Sequence, residues 1–347
     1  MKGVTVILDQ LNGRKAAALL RDGKLDDLLI DAPEGTPLPG AIYRAKVERQ
    51  VKGQGGVFLT LPDGDTAFLR QAKGLSPGQA LLVMVTGYAE GGKAVPVTPR
   101  VLFKSRYAII TPNAPGLNIS RAIRDDEERD RLLELAHEGM DGLDEGFGLI
   151  LRSACAGADA DDIADDIAAM RDLAVAVMDD QTGEPELLVD GADAHHLAWR
   201  DWAEVREQDV IARDGGFDDF GVLDSLIGLT RGVGLSGGGK MYVEPTRALV
   251  AVDVNTGGDT SPAAGLKANI AAAKDLPRVL RLMGLAGQVV VDFAPMPKKD
   301  RRVVEQSLRA AFRHDGIETT QIGWTAMGCF EMTRKRERLP IDIAGLE

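Results

Sequence analysis

The chain has only two cysteines in 347 residues, Cys155 and Cys329, far apart and in no CxxC pair. That argues against a structural zinc site and a disulfide framework, and points to a reducing, cytoplasmic setting. No apolar run approaches the ~20 residues that span a bilayer, and residues 1–9 lack a signal-peptide layout, so no membrane anchor is expected. An excess of positive charge is also missing. The 53 acidic and 41 basic residues leave a net charge of −12, which disfavours a general nucleic-acid coat protein. The acids concentrate at 125–130 and 159–180, however, and the basic tail at 334–338 leaves room for local RNA-binding patches. Histidine is scarce. His195 and His196 have no spaced partner for a metal and read, with Trp199 and Trp202, as part of a helix packing its aromatics. The Gly-Gly-Asp-Thr-Ser-Pro loop at 257–262 lacks P-loop spacing, which removes a nucleoside triphosphatase.

The composition that remains is that of a soluble protein: 44% hydrophobic, 27% charged, and long enough for two or three domains. A strand is predicted over 4–8. Two more, at 15–20 and 24–30, flank the hairpin signal Asp22-Gly23. The proline-rich stretch 31–39 reads as a linker. Five short strands follow, at 41–47, 56–61, 66–69, 80–86 and 94–98, and suggest a small barrel of OB type. Phe58 and Phe68 lie on neighbouring strands near Lys46, Arg70 and Lys93, the arrangement by which such barrels stack single-stranded bases. The alternative is that both rings belong to the core. Helices are predicted over 126–137, from 159 onward with Ile163, Ile167, Met170 and Val177 inward, and over 219–231. A strand at 107–113 ends in a Pro-Asn turn. Another, at 148–151, delivers Arg152 and Ser153 to a turn of small residues, where guanidinium and hydroxyl could hold a phosphate jointly. The last part holds a strand at 241–244, a helix over 298–313 with Val303, Val304, Leu308 and Phe312 on its apolar side, and strands at 320–324 and 329–333.

Residues 247–293 organise the rest. Apolar runs at 248–252 and 289–291 read as interior strands, and each stops on a carboxylate, Asp253 and Asp292. The helix-like stretch 266–283 between them makes a strand–crossover–strand unit, which brings both carboxylates to one edge of a sheet. Burial and like charge would then favour a cation. Asn255, two residues from Asp253, points to the same side. Two hard carboxylates suit magnesium, and a neutral amide beside them suits a phosphate or an attacking water.

The motifs AVDVNTG (251–257), LKANIAAA (266–273), GQVVVDF (287–293) and EMTRKR (331–336), with LSGGGKMYVEPTRA (235–248) and GLILRSA (148–154), closely resemble the ribonuclease E/G family. The likeness covers nearly the whole chain and is strongest after 235. It implies a mixed α+β multidomain fold: an RNase H-like subdomain (1–38 and 191–234), an inserted S1-type OB barrel (39–104), a 5′-sensor (105–190) and a DNase I-like α/β catalytic domain (235–347). It also implies an endoribonuclease that cuts single-stranded RNA with magnesium, or with manganese in its place, leaving a 5′-phosphate and a 3′-hydroxyl. By position, Asp253 and Asp292 would hold the metal and Asn255 would assist at the scissile phosphate. Arg152 and Ser153, with the Ile109 backbone, would grip a 5′-monophosphate, while Phe58, Phe68 and Lys93 would contact RNA. The chain departs from the family at several places. It reaches Glu347 without the zinc-linking CPxC motif, so zinc and a zinc-linked tetramer are not expected, and a homodimer stays open. Ala326 and Ala122 stand where the family has arginine, Ser153 replaces a threonine, and the loop after Asn255 is short. Alternatives are a non-catalytic RNA-binding protein of the same family and a DNase I-like phosphohydrolase acting on another phosphodiester.

Overall fold

The computed structural model describes residues 3–51, 55–72, 74–261, 263–343 and 345, without the side chains of 49–51; Pro262 of the glycine-rich loop lies outside them. Contacts divide the chain into two compact units, Met1–Asp31 with Glu207–Glu347, and Ala32–Arg206.

Strands β1 (Val4–Leu11), β2 (Arg14–Arg21) and β3 (Lys24–Ile30) form an antiparallel meander, with Asp22-Gly23 as its second turn. The chain then enters the second unit. Strands β4 (Ile42–Val51), β5 (Gly56–Thr60), β6 (Thr66–Arg70), β7 (Ala80–Val85) and β8 (Val95–Thr98) pair in the order β4-β5-β6-β8-β7, and a β4–β7 ladder closes the ring. Only β6–β8 is parallel. The result is a closed five-stranded OB-like barrel, filled by Val47, Val57, Leu59, Ala67, Leu69 and Val83 among others. Full closure removes the exposed strand edges that a sheet this small would otherwise present.

The same unit holds a four-stranded sheet in the order β11-β12-β10-β9, built from β9 (Phe103–Lys104), β10 (Ala108–Pro112), β11 (Gly116–Ile119) and β12 (Phe147–Leu151). Helices α1 (Asp126–Met140) and α2 (Ala160–Asp179) pack with it, burying Leu132, Ala136, Ile163, Ile167 and Val177. Asp125 and Asp159 cap the two helices, each carboxylate accepting a backbone N–H of the first turn. Met170, expected inward, is half-buried. Strand β13 (Glu186–Val189) adds to β4, and α3 (Ala194–Asp201) follows. Trp202 is buried, but Trp199 is 38% exposed, its ring covered by the Arg106 guanidinium at 3.7 Å rather than packed inward.

Back in the first unit, β14 (Val210–Ala212) pairs in parallel with β1. The helix expected over 219–231 is two: α4 (Gly216–Asp219) and α5 (Val222–Thr230) are separated at Gly221, whose φ of 66° breaks the helical path. The remaining elements are β15 (Val233–Gly234), β16 (Lys240–Pro245), β17 (Val250–Asn255), α6 (Ala264–Leu282), β18 (Gly287–Asp292), α7 (Arg301–Arg313), β19 (Thr319–Trp324) and β20 (Phe330–Arg334). They form a six-stranded sheet in the order β15-β16-β17-β18-β20-β19, parallel only at β17–β18. Helix α6 is the crossover between these two strands. It is buried on most sides, because β3 and α7 both pack on it, and one apolar cluster joins the meander, the helices and the sheet. On α7 the buried residues are Val304, Leu308 and Phe312; Val303 is 40% exposed, one position off the inward stripe.

Strands β17 and β18 are not enclosed on both faces. Val250, Val252 and Val254 are buried while Asp253 and Asn255 are exposed; Val289 and Val291 are buried while Asp292 is exposed. The sheet therefore buries one face and opens the other. Ala251 and Val290 disguised this in the sequence, being apolar residues on the open side.

Candidate active site

The open face is built by alternation and register. Asp253 and Asp292 are direct partners in the parallel β17–β18 ladder, on strands ~4.8 Å apart, so their side chains leave the sheet on the same side. Asp253 also faces Tyr242 across β16, and Asn255 faces Lys240. Asn255 Nδ2 donates to Asp253 Oδ2 at 2.6 Å, so the amide holds one carboxylate and keeps its own oxygen for another partner. Among the described residues no protein group donates to the Asp292 carboxylate. Tyr242, Glu244, Leu249, Ala251, Val252 and Val290 complete, with the two aspartates, an open pocket of about 230 Å³. The sequence reasoning did not single out Tyr242 and Glu244. The signal was present, because Lys240, Tyr242 and Glu244 alternate with the buried Met241 and Val243.

The expected burial cost of the carboxylates is absent, since both are solvent-exposed. Two like charges in register remain, answered by a single amide, and that arrangement favours a bound cation. No group of three or more His, Cys, Asp or Glu among the described residues could hold a metal. The donor set here is two carboxylates. That fits magnesium, which keeps several waters and takes one or two protein carboxylates plus substrate phosphates.

The glycine-rich loops beside the pocket act by close approach. A Cβ on Gly239 would lie 2.4 Å from the Asn255 carbonyl oxygen, and one on Gly257 would lie 2.4 Å from that of Gly238. The two loops thus pack backbone to backbone at the end of β17, which fixes where Asn255 stands.

In the second unit the two phenylalanines are cross-strand partners, Phe58 on β5 and Phe68 on β6, with ring centroids 5.3 Å apart. Both are half-buried and point outward from strands whose alternate residues fill the barrel, so neither is a core residue. Lys93 is exposed but pairs with Glu90 at 2.5 Å, and Lys46 pairs with Glu184 at 3.0 Å. Arg70 is exposed at the end of β6.

Arg152 and Ser153 stand together at the end of β12, Ser153 exposed at the start of a short 3-10 turn. The Arg152 guanidinium is engaged. It donates to the carbonyls of Ser105 and Arg200 and pairs with Asp201 at 2.8 Å. Burial would raise the Asp201 carboxyl, but Arg200 and then Arg152 outweigh it and hold it below its ordinary value. Ile109 is half-buried on β10, opposite Ile150. The basic tail is largely spoken for within its own unit. Arg334 pairs with Asp315, Lys335 with Glu318, and Arg338 with Asp27, so these residues serve the fold rather than an open RNA patch.

Comparison with known proteins agrees with the motifs. The profile of the Ribonuclease E/G family matches residues 103–216 and 213–337. Ribonuclease G of Escherichia coli strain K12 is 29% identical over 390 aligned positions, covering 94% of this chain and 78% of that protein. Ribonuclease G of Haemophilus influenzae is 27% identical, covering 97% and 80%. Ribonuclease E of Nostoc sp. is 26% identical, covering 92% of this chain and 54% of its own length. The 390 aligned positions exceed the 347 residues of this chain, so the first relative carries insertions that this chain lacks. With the family profile matched across most of its length, the chain belongs to the ribonuclease E/G family.

Proposed function

We propose that the chain is a magnesium-dependent endoribonuclease that hydrolyses single-stranded RNA to 5′-phosphate and 3′-hydroxyl ends. The observation that carries this reading is the registered pair Asp253–Asp292 with Asn255 bonded to Asp253 on the open face of the sheet. Asp253 and Asp292 would hold a magnesium ion, which would supply Lewis acidity to the phosphoryl group and lower the pKa of the attacking water. The chain's own residues do the rest. Asn255 keeps Asp253 aimed while its second Nδ2–H donates to a phosphate oxygen. Tyr242 and Glu244 bound the pocket. Phe58 and Phe68 stack bases on the outer surface of the barrel. Arg152 and Ser153 are the positions for a 5′-monophosphate, which would compete with Asp201 for the guanidinium. The finer fold assignment, RNase H-like and DNase I-like parts around an S1-type barrel, is part of the same proposal. So is the cytoplasmic setting.

The test compares wild type with Asp292→Asn on a 5′-monophosphorylated single-stranded RNA with and without magnesium. Wild type should cut only with the ion, and the variant should lose at least about 10²-fold in rate, the scale on which loss of a key electrostatic group acts. Equal cutting by both sinks the assignment. The alanines at 122 and 326, where the resemblance expects arginine, motivate one second reading, an RNA-binding protein that does not cleave. It predicts RNA binding that survives loss of both aspartates, with no magnesium-dependent product.

A further inference from the structure

Asn269 is fully buried in α6, among alanines and leucines. Its amide is not idle. Nδ2 donates to the Ala294 carbonyl at 2.9 Å, and Oδ1 accepts the Ala294 N–H at 2.9 Å. Met296 Sδ lies 3.4 Å from the same nitrogen. One turn earlier on the same face, Gly265 makes a second contact with this segment. A Cβ there would lie 2.1 Å from the Pro295 carbonyl oxygen, so the helix approaches at a distance only glycine allows. Helix α6 therefore grips two consecutive residues, Ala294 and Pro295, just where the chain leaves β18. Asp292 is two positions earlier.

The grip has a chemical logic. The chain exits the sheet at Asp292, so Ala294 has lost its ladder partners, and its buried N–H and C=O would otherwise be unsatisfied. An alanine at 269 would suit the helix better by propensity, which makes the retained amide informative. Its side-chain partners, Ala294 and Met296, both lie in the segment after Asp292.

We infer that Asn269 is a positioning residue for Asp292. By clamping Ala294 to α6 it fixes the direction in which β18 ends, and with it the aim of the Asp292 carboxylate toward Asp253. The inference rests on the proposal that these two carboxylates hold a divalent cation.

Manganese, titrated by electron paramagnetic resonance into the full chain, is the probe. Wild type, Asn269→Ala, Asn269→Ser and Asp292→Asn are compared, with thermal unfolding measured alongside. Loss of a group that orients a metal ligand typically weakens affinity about 10–100-fold. Both Asn269 variants should shift manganese binding by about tenfold or more. RNA cleavage at low magnesium should fall by a similar factor and recover as the ion is raised, with KM for RNA unchanged. Where Asn269→Ala does not fold, Asn269→Ser, which keeps a hydroxyl, gives the result. Folded Asn269 variants that melt earlier but bind manganese as wild type does overturn the inference, because the clamp then serves the fold alone. Wild type and Asp292→Asn binding manganese alike overturns the cation reading itself, and the inference with it.

Discussion

Glu128 anchors more of the molecule than one turn of helix. Its carboxylate takes both Arg131 donors, at 2.9 and 2.7 Å, and the Gly157 N–H at 2.9 Å, tying α1 to the turn that follows Arg152 and Ser153. The Arg131 hydrogen bond leads in holding this carboxyl at about 2, well under its ordinary 4.5. A group depressed on folding stabilises at pH above its unfolded value and loses that contribution as pH falls through the folded one. Glu128→Gln should therefore lower stability most above pH 4.5, and the difference from wild type should shrink as pH falls toward 2. Denaturant melts at several pH values check this, and a difference constant across that window contradicts it. The i,i+3 pairing with Arg131 is legible within 126–137, but nothing there marked Glu128 for its bond to Gly157, 29 positions away. Asn269 was hidden for the same reason: a polar residue in a helix has no periodicity to betray its partner. Asp253, Asn255 and Asp292 were legible because strand alternation and the crossover rule act over short spans.

At the scale of elements, the hidden organiser is Asp315, after α7. Its carboxylate bridges Arg281 of α6 and Arg334 of β20, and the Asp315 and Arg334 side chains are wholly buried. Arg334 also donates to Thr319 at 2.9 Å. Arg281 reaches Asp26 and Asp27 at 3.6 Å on β3, and Arg338 meets Asp27 at 3.2 Å. The network joins β3, α6, β19 and β20 inside one unit. Breaking a buried pair leaves charge without compensation and costs about 3–5 kcal/mol. Asp315→Asn should lower the denaturant midpoint by a stability loss of that order with an unchanged slope; a loss below about 1 kcal/mol contradicts the role. The sequence placed most of these elements to within a few residues. It missed the two- and three-residue strands β9, β14 and β15, and also β11 and β13, whose short runs interrupted by Asn118 or bounded by Gly183 and Pro185 carry little strand signal. It also misread α5, because Gly221 and the left-handed turn it makes lie inside an otherwise helical pattern.

For the whole molecule, the proposed function assigns chemistry and RNA binding to different units. The paired aspartates stand in the unit of Glu207–Glu347, and the aromatic pair stands on the barrel of Ala32–Arg206. The two should be separable by mutation. Phe58 and Phe68 lie outside the barrel core, so replacing both by alanine should leave unfolding little changed. Each lost stack should weaken single-stranded RNA binding by about 1–3 kcal/mol, with cleavage largely restored at saturating RNA. An unfolded barrel, or unchanged RNA affinity, contradicts that division. The net charge of −12 and the internal pairing of Arg334, Lys335 and Arg338 weaken the long-range attraction that the basic tail could give RNA.

The central claim is that Asp253 and Asp292 share a cation. Anomalous scattering from manganese-soaked crystals tests it directly. A peak between the two carboxylates, within coordinating distance of both and absent from crystals of Asp292→Asn, is the predicted result. A wild-type crystal with no peak there, or with its manganese only at another site, contradicts it.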